Sequence, residues 1–136
     1  MEFRDRHVVV TGAAGALGGV IAARLREAGA ICHLPLRAAT SRLHDDDRQR
    51  VVHGVDLSDE RAVNRFYDGV PELWASIHAA GGFAYGPLVG LDKAGLLAQL
   101  DMNLVSCVLC CRAAVTAMKR GGGGRIVNVT ARPGLE

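Results

Sequence analysis

Aromatic side chains are scarce in this chain, at 4% with one Trp, two Tyr and three Phe, so a core built from rings is excluded. The interior must come from Val, Leu, Ile and Ala, which suits buried parallel strands covered by helices. A charge excess is also missing. Sixteen basic side chains nearly balance fourteen acidic ones, for a net +2, and nothing concentrates Arg or Lys beyond "RDR" and "RQR". A broad nucleic-acid footprint is therefore not expected. The N-terminus "MEFRDRH" meets a strand within a few residues, which leaves no room for a signal peptide, and no apolar run approaches membrane-spanning length. The expectations are no membrane partner, a cytoplasmic location and one domain over residues 1–136.

Cysteine is sparse too. Of Cys32, Cys107, Cys110 and Cys111, three fall in "SCVLCCRAAV" at i, i+3 and i+4. That spacing makes a metal site conceivable, but no His or acidic cluster offers obvious further ligands. The expectation is no metal, with the cysteines acting as small buried hydrophobes in a reducing compartment.

What is present is alternation. "HVVVTG" reads as a buried strand, followed by the helix "GALGGVIAARLREAGA" with Leu17, Val20, Ile21, Leu25 and Ala28 on one face and Gly29 as its C-terminal stop. "AICHLPL" is a second strand with Pro35 near its end, and "RVVHGVDL" a third. Ser58 is the expected N-cap of the helix "SDERAVNRFYDGV", with Asp59 and Glu60 in its first turn. "LWASIHAAGG" supplies a fourth strand and a second glycine turn, and "FAYGPLVGLDKAG" a loop. A long helix runs from about Gly95 to Lys119, apolar almost all round, before a fifth strand in "RIVNVTA". Strand and helix repeating at this spacing predict right-handed crossovers and a doubly wound, Rossmann-like α/β fold.

The first turn carries the chemistry. In "VVVTGAAGALGG", Gly12, Gly15 and Gly18 are three apart where a strand passes into a helix. A helix N-terminus presents unpaired N–H groups and the positive end of its dipole, so glycines that admit a phosphate make an anion cradle there. A tight strand-to-helix turn without a ligand has the same pattern.

"TGAAGALG" resembles the Thr-Gly-x-x-x-(Ala or Gly)-x-Gly turn of the short-chain dehydrogenases/reductases, and the likeness continues in order along the chain. "VDLSD" is similar to the family's acidic position after the third strand, "AAGG" to its Asn-Asn-Ala-Gly turn, "LDMNL" to its helix Asn and "GRIVNVTA" to its fifth strand. The resemblance implies a parallel sheet of order 3-2-1-4-5 extended by two further strands, an NAD or NADP cofactor, and hydride transfer at a carbonyl or alcohol carbon of a small substrate. Residue by residue, it implies that the backbone of Gly12, Ala14, Gly15, Ala16, Leu17 and Gly18 holds the pyrophosphate. Asp56 would accept from the adenine amino group beside Leu57, and Ala79, Ala80 and Gly81 would lie near the adenosine ribose. A turn acid near a helix start is the plainer reading of Asp56. Leu36 stands where NAD-specific members carry Asp, and Arg37 follows, which favours NADP with NAD as the alternative; a solvated surface Arg is an equal reading.

The departures concern catalysis. The family pattern places a Tyr, a Lys four residues on and a Ser at the active carbon. Here Tyr67 and Tyr85 are followed at that spacing by Pro71 and Val89, and Ala131 falls at the Ser position with Thr130 before it. Asn103 alone of the catalytic set is retained, with a helix-interior polar contact as its other reading. His78, at the first Asn of the turn, reads as a packing or hydrogen-bonding residue. The chain ends at "RPGLE", ahead of where the resemblance implies the Tyr-Lys helix, two more strands and a substrate loop. The expectation is a truncated, catalytically incomplete portion, with strand Ile126 to Thr130 as an open edge and self-association through the uncovered helix. A non-catalytic dinucleotide-binding module or an inactive fragment are the alternatives.

Overall fold

The structure, a computed structural model, describes residues 2–131. The terminal "RPGLE", on which the expectation of an unfinished fold rests, lies outside the described residues. Five parallel strands form one sheet: β1 (His7–Thr11), β2 (Ile31–Leu36), β3 (Gln49–His53), β4 (Leu73–His78) and β5 (Arg125–Asn128). Their order is β3-β2-β1-β4-β5, as expected.

Successive residues of β1 face opposite sides of the sheet, and both sides are covered. Val8 and Val10 join Ala22 of α1 (Ala16–Glu27) and Cys32 and Leu34 of β2 in one core. Val9 joins Val63, Phe66 and Tyr67 of α2 (Glu60–Asp68) and Cys110, Ala114 and Met118 of the last helix in the other. Each large side chain so buried contributes roughly 1.5–3 kcal/mol relative to exposure.

The inner face of α1 differs from the expected one. Leu17 and Val20 are exposed, while Gly18 and Ala22 are buried with Ile21 and Leu25 packed beside them. Small residues win that face because the helix lies tight on its own glycine turn, where larger side chains have no room. At its far end Ala28 is the C-cap, and Gly29 follows at φ 98°. The N-cap of α2 is Asp59 rather than Ser58. The Asp59 carboxylate accepts from Arg61 N at 2.8 Å and Ala62 N at 3.2 Å, while Ser58 turns its hydroxyl to Asp56.

The expected long helix starts two residues earlier and is interrupted. α3 (Lys93–Leu100) passes through a π-helical turn (Asp101–Val105) into α4 (Ser106–Arg120). This continuous Lys93–Arg120 stretch corrects the expectation that no apolar run approaches membrane-spanning length: by length and composition it would suffice. It nevertheless packs one face, including Cys110, Ala113, Ala114 and Ala117, against the sheet core, and leaves Leu104 and Val108 exposed. β5 is shorter than expected, and Val129, Thr130 and Ala131 lie beyond it.

Candidate functional site

β1 is where the sheet changes winding direction, with β2 on one side and β4 on the other. Crevices beyond the carboxyl ends of strands at such a reversal are the ligand sites of open α/β sheets. A cleft of about 520 Å³ opens there.

Its floor is the glycine turn. Gly12 has φ 72°, and a Cβ on it would meet the backbone of Ala79 and Ala80 at 2.7 Å, so two strand ends approach as closely as bare backbone allows. Thr11 Oγ1 accepts from Ala80 N at 3.1 Å and locks the two turns together. Gly15 is the N-cap of α1 and offers no side chain, and the first turn contains no acid. The helix therefore presents its leading N–H groups with no internal side-chain acceptor, the condition for an external anion.

The rim beyond β3 holds Asp56. Its Oδ1 accepts from Ser58 N at 2.9 Å and Ser58 Oγ at 2.7 Å, and its Oδ2 lies 3.9 Å from Arg37 Nη2. The two Ser58 bonds chiefly lower the pKa of this carboxyl, against the opposing effect of burial and with a lesser contribution from the Arg37 charge. Arg37 itself extends outward with its side chain 83% exposed.

The cleft brings together Gly12, Ala14, Gly15, Arg37, Asp56, Leu57, Ala79, Ala80 and Gly81. Ala16, Leu17, Gly18 and Asn103 do not line it. Gly18 sits behind the turn, where a Cβ would collide with Gly12, so its role is packing. Leu17 is on the outer side of the first helical turn. Asn103 lies in the π-helical turn with both ends of its amide engaged: Oδ1 accepts from Gly82 N at 3.0 Å, and Nδ2 donates to Gln99 O at 3.1 Å. That arrangement fastens the long helix to the β4 turn. Ser41, Ala98 and Met102 also line the cleft, unforeseen because they arrive from distant loop and helix segments.

A polar chain, buried except for the exposed Asn128 at its end, lies behind β4. Tyr67 Oη is 2.8 Å from Ser76 Oγ, Ser76 Oγ is 2.9 Å from His78 Nε2, and His78 Nδ1 is 2.7 Å from Asn128 Oδ1. Burial raises the Tyr67 hydroxyl well above its ordinary pKa and lowers that of His78. The period-2 spacing of Ser76 and His78 was the one available signal for this chain, since it puts both on the same face of β4.

The cysteines divide. Cys32 and Cys110 are buried, and burial pushes their thiols up to about 11 and about 12 respectively, as fits small hydrophobes. Cys107 and Cys111 are half-buried and converge on His78, so the reading of all four as plain core residues does not hold for these two.

A glycine turn, an open helix N-terminus and an acidic rim at the reversal of a doubly wound parallel sheet define the dinucleotide-binding class of α/β folds. Residues 6–136 match the short chain dehydrogenase family, and the chain belongs to that family, whose members bind NAD or NADP. It is 30% identical over 138 residues to the cis-4-hydroxycyclohexanecarboxylate dehydrogenase of Sinomonas cyclohexanicum, covering 94% of this chain and 55% of that protein. A short-chain type dehydrogenase/reductase from Mycobacterium ulcerans superposes with a TM-score of 0.80 at 25% identity, over 95% of this chain and 52% of the other. A short chain dehydrogenase from Leptospira borgpetersenii, solved with bound NAD+, has the same fold, with a TM-score of 0.87 at 18% identity and coverage of 98% and 54%. The chain thus spans about half the length of these relatives.

Proposed function

We propose that this chain is the cofactor-binding portion of an NAD(P)-dependent oxidoreductase acting on a carbonyl or alcohol carbon, and that it favours NADP. The carrying observation is the cradle: a left-handed Gly12 with no space for a Cβ, beside a helix N-terminus capped by glycine. A pyrophosphate fits this donor set, because backbone N–H groups supply both approach and charge complementarity. Free backbone N–H groups between Gly12 and Leu17 would bind it, with Ala16 and Leu17 contributing backbone only and Gly18 packing behind the turn. Asp56 would orient the adenine ring beside Leu57, and Ala79, Ala80 and Gly81 would leave room for the ribose. Arg37 would pair with a 2′-phosphate, where Leu36 provides no carboxylate to repel it.

Bound there, the dinucleotide supplies the hydride. Proton transfer is a separate requirement that these residues do not meet. Tyr67 is 1% exposed and bonded into the core, Tyr85 is 93% exposed on the loop after β4, and Ala131 carries no hydroxyl. Loss of a positioned general acid costs roughly 10² to 10⁴ in rate. The 136-residue chain is therefore expected to bind cofactor weakly and to transfer no hydride.

Titration of cofactor fluorescence, with NADPH and NADH in parallel, tests the binding. NADPH is expected to bind more tightly, and Arg37→Glu to cut its affinity by more than tenfold, in line with a charge-assisted contact of roughly 1.5–3 kcal/mol, while leaving NADH within twofold. Equal affinities that ignore the substitution would remove the NADP preference. Absence of binding by either would remove the cradle reading. Carbonyl-dependent oxidation of NADPH by the chain alone would show that a proton donor has been overlooked.

A further inference from the structure

Three soft or borderline ligand atoms meet between the far side of β4 and the long helix. His78 Nδ1, Cys107 Sγ and Cys111 Sγ all lie within 4.8 Å of one another. One helical turn separates the two cysteines on α4, so both sulfurs point the same way, and His78 reaches them as the last residue of β4. Asn128, the last residue of β5, adds an amide oxygen 3.4 Å from Cys107 Sγ and 3.5 Å from Cys111 Sγ. Cys111 Sγ is 3.6 Å from His78 Nδ1.

We propose that His78, Cys107, Cys111 and the Asn128 side-chain oxygen form a tetrahedral site for zinc(II) or a similar thiophilic divalent cation. Zn–S bonds near 2.3 Å and Zn–N or Zn–O bonds near 2.0–2.2 Å place the corners of such a tetrahedron roughly 3.4–3.8 Å apart. The three sulfur-to-partner separations already match those edges. The His78 to Asn128 contact, at 2.7 Å, is a direct hydrogen bond that opens by less than 1 Å to admit the metal.

The surroundings complete the chemistry. A metal-bound imidazole donates its other N–H to a fixed acceptor. Ser76 Oγ stands 2.9 Å from His78 Nε2, is itself fully buried, and lies 2.8 Å from Tyr67 Oη, toward which its hydroxyl hydrogen turns once His78 Nε2 carries the proton. Without metal, His78 carries its proton on Nδ1, donates to Asn128, and accepts from Ser76 at Nε2. With metal, the same proton resides on Nε2 and Nδ1 becomes the ligand. Metal entry forms two metal–sulfur bonds and releases two thiol protons to solvent. A divalent cation with two thiolates and a neutral imidazole has no net charge, so a half-buried site bears little desolvation cost. The consequence is mechanical: one ion ties β4, the edge strand β5 and α4 together.

Cobalt(II) titration of the full chain, kept reduced with a phosphine, tests the site. One equivalent is expected to produce sulfur-to-cobalt charge-transfer absorption with intense tetrahedral d–d bands, and zinc should discharge both. Cys107→Ser and Cys111→Ser should each weaken cobalt binding at least tenfold, whereas Cys32→Ala retains it. Zinc should also shield Cys107 and Cys111, and neither Cys32 nor Cys110, from alkylation followed by mass spectrometry, a readout that needs no variant to fold. A weak octahedral spectrum, undiminished bands in either serine variant, or unshielded Cys107 and Cys111 would overturn the proposal.

Discussion

Gly12 shows how much one missing side chain can determine. Its φ of 72° lies in the left-handed region, and the space a Cβ would occupy is filled by the Ala79–Ala80 peptide at 2.7 Å. Both conditions oppose Gly12→Ala. The strained conformation alone costs on the order of 1–3 kcal/mol, and separation of the two turns adds to it. Urea denaturation should report a loss of at least that size, together with loss of NADPH binding. An Ala variant of unchanged stability and affinity would mean that the turn tolerates a side chain and that its closeness is incidental. At this scale the cofactor cradle was legible in the sequence, because glycine spacing reports backbone conformation directly. The cluster around His78 was not. His78 and Asn128 are 50 residues apart, with the two cysteines between them in sequence, and only the packing of α4 across β4 and β5 unites them.

Among the elements, the strands were easiest to anticipate and the helix faces hardest. Runs such as "VVV" have one reading in a sheet covered on both sides, whereas α1 contains apolar residues at more positions than its buried face can hold. Leu17 and Val20 are the surplus, and Gly18 and Ala22 take the inner positions because proximity to the turn selects for size over hydrophobicity. The same surplus on the long helix has a physical outcome. Leu104 and Val108, at 55% and 54% exposure, belong to an apolar face continued by Leu96, Leu97 and Leu100. Such a face favours association. Sedimentation velocity is expected to find species larger than the monomer, and Leu104→Glu with Val108→Glu to shift the distribution toward it. A distribution unaffected by both charges would place the contact elsewhere.

For the whole molecule, acid is the expected point of weakness. His33 is 7% exposed, and burial, helped by neighbouring His7 and Arg50, pushes its pKa down to about 4. Its ring faces that of His7, with Nε2 2.8 Å from His7 Nδ1, a contact that two imidazolium rings could not maintain. The unfolded chain takes up this proton near pH 6.5 and the folded chain only near pH 4. Unfolding therefore binds protons between those values, and stability falls as pH drops through the window before levelling below it. Melting temperatures measured from pH 7 to pH 4 should decline, and His33→Gln should flatten that decline; an identical slope in the variant would assign the acid sensitivity to other groups.

β1 occupies the middle of the sheet, yet its two neighbours enter at very different times. β2 follows within 25 residues of His7, but the β4 partner of Thr11 is His78. At roughly 5–20 residues per second, several seconds of ribosomal synthesis separate β1 from its second neighbour. During that interval Val8, Val9 and Val10, which end wholly buried, have only one side paired. The central strand of the finished sheet is thus the exposed edge of the nascent one, and chaperone demand should peak before residue 78 emerges.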